Sequence, residues 1–480
     1  MGMGTVSRIV RPGEVTLEGR PERVLIAGNR YPSVGELVPW IVLGVGLLVA
    51  PCYAAPRAPQ PPPRPSQWYF ESPSSVPWFT PPIIPATGQA QADSTGAIWG
   101  WNHSWTLASL YRADLPTAHL TSGWTEKVTM LPSEGRSIDP YLAGISTLIT
   151  RDNRIFAWWG EHKLSDPTDT KLTFVEGSIG GNGMVTVSHT TRLDPPQYPI
   201  PLYGVSRSAV PYRGASVCLA PDGHLFVAYT GGYFWTPGDP NNQYCRCVVA
   251  GRSNSVGTFA DGITWSLIRP WEEVFDYTAE AFETVALCAT AAGNVACLYN
   301  DGAGTIRGRR LTGGAWEAEV LLRAASPNDS ARLESLAHRG SSLEQAVVAY
   351  HLKQIAGGAG IIECANLDGD GAVLTLSNIR ALGALPLAYG GKLGLTWNQA
   401  MGVLFLYGKT STNPIDVREV TATGLQLPSI EIVDGRLGNW RTWPLAVFGY
   451  PDWVPGPDWW AIGGQGSGGR RLLFRWTLEE

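Results

Sequence analysis

Residues 216–232, SVCLAPDGHLFVAYTGG, superpose without a gap on residues 286–302, ALCATAAGNVACLYNDG, so that Cys288 falls on Cys218, Gly293 on Gly223 and Tyr299 on Tyr229. Each stretch reads as a strand, a turn at a glycine, and a second strand ending in an aromatic residue. STLITRDNRIFAWWG fits the same template with Trp159 in the aromatic slot; EQAVVAYHL and GVLFLYGK supply Tyr350 and Tyr407. Upstream, TGAIWGWN offers Trp101, and downstream PDWWAIGGQ offers a position near Ile462. Further strands follow each unit, the last of them reading GWTEKVTML, GMVTVSHTT, GITWSLI, AWEAEVLL, AVLTLSNI and LPSIEIV. Four antiparallel strands per unit, repeated radially, predict an all-β chain folded as a β-propeller, and the spacing predicts seven blades. The competing arrangement is one or more β-sandwiches, because alternation alone does not dictate closure. Composition agrees: 56 Gly, 37 Pro and only 16% charged residues suit short strands joined by tight turns.

The last unit reaches RRLLFRWTLEE one strand short of four, while SQWYFES, residues 66–72, precedes the first blade. Residues 66–72 are therefore expected to pair with the C-terminal blade and close the ring, which removes an exposed edge. That defines a propeller over 66–480, preceded by a docking peptide with short strands over 1–36, an apolar anchor or buried plug over 37–56 and a proline-rich stalk over 57–65. The extended N-terminal segment is expected to attach the propeller to something larger, through Trp40, Ile41, Leu43 and Leu47. Its roughly 20 uncharged positions would just span a hydrocarbon core of about 30 Å, so lipid contact is one expectation and burial in protein the other.

Function follows from where long loops fall. Residues 191–214 link blades two and three, 231–244 sit within blade three, and 269–282 link blades three and four. Strand direction puts all of them on one face. They supply a candidate ligand-binding set of Tyr198, Tyr203, Arg207, Tyr212, Arg213, Tyr233, Phe234, Trp235, Asp239, Asn242, Trp271, Glu272 and Tyr277. Exposed aromatics beside amides and charges suit a sugar face or a protein epitope. The plainer reading is that part of these rings simply packs the loops down.

Residues 260–266, ADGITWS, with Asp261, Gly262, Thr264 and Trp265, resemble a shortened Asp-box of the sialidase-like, or BNR-repeat, propellers. In that family the Asp caps a turn and the Trp packs between blades, so the resemblance implies architecture. A sialidase-like site would also need an arginine triad for a carboxylate, a tyrosine activated by a glutamate, and an acidic proton donor. The arginine-isoleucine-proline signature of such enzymes is absent from the sequence. No catalytic residue is assigned, and the chain is read as non-enzymatic.

Metals and nucleic acid are not expected. NLDGDGA starts like a calcium loop at Asn366, Asp368, Asp370 and Gly371, but its ninth and twelfth positions are Leu374 and Ser377, leaving the shell incomplete. No cofactor is expected. The formal charge of −5 offers no basic stripe for phosphates. Among seven cysteines, Cys245 and Cys247 share a strand face as buried thiols, and Cys288 with Cys297 leaves a cross-hairpin bridge open. Together these readings predict a component of a bacteriophage particle, a fibre, spike or tail part on the virion surface. Residues 1–65 would bind structural proteins and the propeller a host glycan or protein. A membrane-anchored surface adhesin is the alternative, and a sialidase-like glycoside hydrolase the third reading.

Overall fold

The computed structural model describes strands from Arg23–Leu25 to Arg471–Thr477, with side chains over most of residues 93–381 apart chiefly from 113–124, 139–144, 233–244, 273–284 and 325–362. The chain is all-β. Among the described residues there are seven antiparallel sheets of four or five strands and one two-stranded hairpin, with no helix. The sheets follow one another along the sequence, as the repeat requires. Their leading strands are Ala90–Ala92, Ser146–Ile149, Val210–Leu219, Val285–Ala289, Asp329–Ala337, Leu393–Asn398 and Ala446–Gly449; each touches the next, and Ala446–Gly449 touches Ala90–Ala92. In the last sheet Gln67–Phe70 pairs with Arg471–Thr477, Trp68 lying opposite Trp476, and Arg23–Leu25 pairs outside it.

In the first four sheets, side chains on the second strand build the contacts between sheets. Tyr229 and Trp159, six positions beyond the turn residues Gly223 and Asn153, face the preceding sheet. The residue one position earlier faces the following sheet, because successive strand side chains alternate. Thus Trp158 meets Tyr229 at 5.6 Å between ring centroids, and Trp101 meets Trp159 at 5.9 Å. This corrects the slot given to Trp101, which lies five positions beyond Gly96. It is the partner of Trp159 across the sheet interface rather than its counterpart in the repeat. Trp99, Trp101, Trp158, Trp159, Tyr229 and Tyr299 are fully buried, and aromatic pairs of this kind add about 0.5–1.5 kcal/mol beyond area burial.

A polar clasp repeats beside these rings. Arg112, Glu176, Arg252 and Arg310 occupy matching third-strand positions, opposite Trp99, Phe156, Phe226 and Ala296. Glu176 accepts from the Thr258 hydroxyl (3.0 Å) and the Phe259 N–H of the third sheet. Arg310, 6% exposed, donates to the carbonyls of Gly369 (3.0 Å), Gly371 (2.6 Å) and Ala372 (3.2 Å) of the fifth sheet and is paired with Glu317. The Asp-Gly turn of NLDGDGA therefore presents its carbonyls to a guanidinium. Asp368 caps the turn at the Gly371 N–H, and Asp370 accepts from Asn294 at 3.0 Å.

Among the described residues six cysteines are free thiols. Cys297 lies opposite Leu287 and Cys288 opposite Ala296, one position out of step. The two thiols consequently point to opposite faces of the fourth sheet, into separate cores, and the bridge left open by the sequence is not formed. Burial pushes the Cys288 thiol up to about 12, so it remains protonated at physiological pH.

Candidate functional site

Two of the expected loops contain regular structure. Residues 191–214 hold a hairpin, Gln197–Ile200 with Val205–Ser208, in which Tyr198 lies opposite Arg207. Residues 269–274 continue the outer strand Thr258–Val274 of the third sheet. Trp271 is consequently a core residue, 5% exposed, and its indole N–H donates to the Tyr198 carbonyl at 3.3 Å. The Tyr198 ring packs on the same core, where burial and then the nearby Cys247 thiol push its phenol up. Trp271→Ala is expected to cost about 3 kcal/mol of stability; a thermal melt indistinguishable from that of the unsubstituted chain would show that the ring carries no packing.

Tyr212 and Arg213 lie in the strand Val210–Leu219, with their side chains outside the described residues. Tyr203, Tyr233, Phe234, Trp235, Asp239, Asn242 and Tyr277, and the attachment residues Trp40, Ile41, Leu43 and Leu47, also lie outside them. In the Asp-box-like stretch, Gly262 takes a left-handed φ of 89° and Trp265 meets Tyr229 edge-on at 5.9 Å. Asn254 spans that turn, donating to the Asp261 carbonyl at 2.9 Å and accepting from Thr264 at 2.7 Å.

Glu272 enters a charged cluster that the sequence did not reveal. It forms where the third and fourth sheets meet. Arg269 and Glu272 come from Thr258–Val274; Tyr299 and Asp301 lie at the end of Val295–Asn300; Arg307 lies in Ile306–Thr312, and Glu319 just precedes Val320–Arg323. Arg269 grips both oxygens of Glu319 through Nη1, at 2.6 and 2.8 Å, and Glu272 through Nη2. Arg307 donates to Glu319 at 2.9 Å and, through Nε, to Asp301. The Tyr299 hydroxyl donates to Glu319 at 2.5 Å. Arg269, Glu272, Arg307 and Glu319 are 21–27% exposed and Asp301 only 2%. The cluster is thus a partly exposed network of mutually paired charges.

Its electrostatics separate binding from nucleophilic chemistry. Burial works to raise the Asp301 carboxyl, but hydrogen bonds from Thr305 and Arg307 outweigh it and hold the group below the usual range. Burial works to lower Arg269, and Glu272 with Glu319 reverses this, keeping the guanidinium charged. The Tyr299 phenol is pushed far up, first by burial and then by Glu319. A tyrosine beside a glutamate is thus present, but with the ring fully buried and the proton tightly held it serves as a donor, not a nucleophile. Among the described residues no group of three His, Cys, Asp or Glu side chains could hold a metal ion.

No protein-family model and no curated sequence matches the chain. Solved structures do resemble it. One is the GH93 α-L-arabinofuranosidase of Fusarium graminearum with arabinobiose, at 12% identity over 72% of this chain and 95% of that one, with a TM-score of 0.44. Another is the Aleuria aurantia lectin with Fucα1-6GlcNAc, at 10% identity over 72% of this chain and 96% of that one, with a TM-score of 0.38. A third is AofleA from Arthrobotrys oligospora, at 11% identity, 75% and 95% coverage and a TM-score of 0.36. The expectation of a bacteriophage fibre, spike or tail component is corrected: these structures are a glycosidase, a lectin and AofleA, and nothing in the comparisons points to a virion. The comparisons lend no support to structural-protein partners or lipid contact for residues 1–65, most of which lie outside the described residues. What stands of the Asp-box resemblance is the all-β architecture. Among the described residues no helix is long and apolar enough to cross a membrane.

Proposed function

We propose that the chain is a seven-bladed β-propeller that binds glycans at the junction of its third and fourth sheets. Two features support the propeller: seven consecutive antiparallel sheets, and leading strands that contact one another in a cycle. The binding reading is carried by the Arg269–Glu272–Arg307–Glu319 cluster, whose carboxylates and guanidinium groups are fixed by one another before any ligand arrives. Sugar hydroxyls both donate and accept, so a surface alternating fixed acceptors and donors recognises them at little ordering cost. Gly232 lies opposite Arg246, and Arg246 opposite Glu272; residues 233–243 and 275–284 therefore leave the third sheet at the same end as the cluster. Those connections contain Tyr233, Phe234, Trp235 and Tyr277, ring types that stack on sugar faces.

The test is binding of the purified chain to an oligosaccharide panel. Arg269→Ala removes the residue that holds both glutamates and is expected to weaken binding at least about tenfold, a cost near 1.4 kcal/mol. Trp235→Ala is expected to do the same with an unchanged melt. Release of reducing sugar from the panel would identify a hydrolase instead, and unaltered binding by Arg269→Ala would place the site elsewhere.

A further inference from the structure

Arg23–Leu25 and Gln67–Phe70 lie side by side in the last sheet, with Leu25 directly opposite Gln67. The connection between them, residues 26–66, therefore leaves the sheet and returns to it at one point. It contains the charge-free run 37–56. A single membrane crossing by that run would put its two ends on opposite sides of about 30 Å of hydrocarbon, and the chain would have to come back through it. The return would carry Arg57, Arg64 and a proline-rich backbone through a medium that satisfies neither charge nor carbonyl. A shallow dip into lipid suits the run no better. Pro39, Gly44, Gly46 and Pro51 break it into short pieces, Trp40–Leu43 and Leu47–Ala50, too short to close their own helical hydrogen bonds.

The point of return picks out one face. Gln67 lies opposite Thr477, at the end of Arg471–Thr477, the third strand of its sheet. In the third sheet the corresponding end is the turn between the third and fourth strands, away from Gly232, Arg246 and Glu272. Turns at this end are unusually apolar. Of the four such turns whose side chains are described, three expose a large apolar residue: Met184 at 53%, Val256 at 63% and Val373 at 51%. The fourth is Gly313–Gly314. Turn positions ordinarily go to glycine or to small polar residues, so three matching exceptions mark this end of the sheets as an apolar rim.

We infer that residues 37–56 dock on this face of their own chain, against the Met184, Val256 and Val373 turns and at the opposite end of the sheets from the charged cluster. Residues 26–36 and 57–66, at about 3.3 Å per extended residue, reach about 36 and 33 Å. That brings the run over the middle of a body of about 400 residues, whose radius of gyration is about 21 Å. Tethering at both ends holds the run at high effective concentration beside these turns, and a protein surface offers its backbone the partners that lipid lacks. The contact is small beside seven sheets, so its loss on removal of residues 1–60 leaves the melt almost unmoved. Proximity is therefore the quantity to measure.

The experiment uses the full chain. Cys52 lies within the run, and the six described thiols are buried or half-buried. A further thiol is introduced by Met184→Cys, Val256→Cys or Val373→Cys, or by Leu131→Cys, whose exposed site follows the last strand of the first sheet at the opposite end, and a short bismaleimide is added. Peptide mapping is expected to find Cys52 linked to at least one of the three turns within one chain, at about tenfold the yield given by Leu131→Cys. Leu43→Asp with Leu47→Asp is expected to cut that yield about fivefold, because the charges resist burial; passing encounters of a tethered loop would be unaffected. A thermal melt of each variant reports the fold independently of the yield. Equal yields from Leu131→Cys and the turns, or a yield untouched by the two aspartates, overturn the docking. Links found only between chains, when isotope-labelled and unlabelled protein are mixed, overturn it in favour of a second copy. Flotation of the full chain with phosphatidylcholine vesicles that shield Cys52 from maleimide overturns it in favour of lipid.

Discussion

Removal of residues 1–72 is expected to lower the melting temperature by about 5–10 °C, whereas removal of residues 1–60 leaves it within about 2 °C. The difference lies in one strand. Gln67–Phe70 is hydrogen-bonded along Arg471–Thr477, with Trp68 opposite Trp476 and Phe70 opposite Phe474. Without it, the last sheet has three strands and an open edge, and the cycle of sheets has no covalently distant segment tying its end to its beginning. Among the described residues, the shorter truncation removes only the three-residue pairing of Arg23–Leu25 with Gln67, Trp68 and Tyr69. A chain lacking 1–60 and one lacking 1–72 that melt together would mean that the sheets hold their arrangement without this strand.

Arg310→Met is expected to cost about 2 kcal/mol. The methionine fills part of the volume, but the carbonyls of Gly369, Gly371 and Ala372 lose their donor, and Glu317 loses its bidentate partner. The buried Gly369 carbonyl stripped of its partner carries a desolvation cost of about 1–3 kcal/mol, whereas the more exposed Gly371 and Ala372 carbonyls and the Glu317 carboxylate turn to water at smaller cost. Arg310→Lys should recover little, since a single ammonium cannot reproduce a planar fork reaching three carbonyls and a carboxylate. Chemical denaturation reads both variants; a loss below about 1 kcal/mol in Arg310→Met would show that the clasp between the fourth and fifth sheets is replaced by water.

The architecture was legible because the repeat is written in residues with strict geometric duties. Gly223 and Gly293 take φ values of 82° and 90° in the turn, positions that L side chains resist, and Tyr229 and Tyr299 fill matching interfaces. A one-residue offset was enough to misplace Trp101, because period two turns a neighbour to the opposite face. Trp271 was misread for a related reason. The outer strand Thr258–Val274 bulges between the partners of Arg246 and Val249, and a proline beside two glutamates looked like the start of a loop when the strand in fact runs on to Val274.

The charged cluster was only one-sixth legible, through Glu272. Its six members come from separate elements spanning residues 269–319, and nothing local marks Arg307 or Glu319 as partners of Arg269. One signal was present. Asp301 sits six positions before Arg307, as Asp93 sits six before Trp99, and both cap a turn by accepting from the residue four later. The virion expectation failed because it rested on an apolar run and a proline stalk, features that say a segment needs a partner without saying which.

The most direct measurement is a crystal structure of the chain with the tightest oligosaccharide of the panel bound. The account predicts the sugar at the junction of the third and fourth sheets, with its hydroxyls within hydrogen-bond distance of the Arg269–Glu272–Arg307–Glu319 cluster. A sugar seated on the axis of the ring, or at another junction with Arg269 and Glu272 untouched, would contradict it.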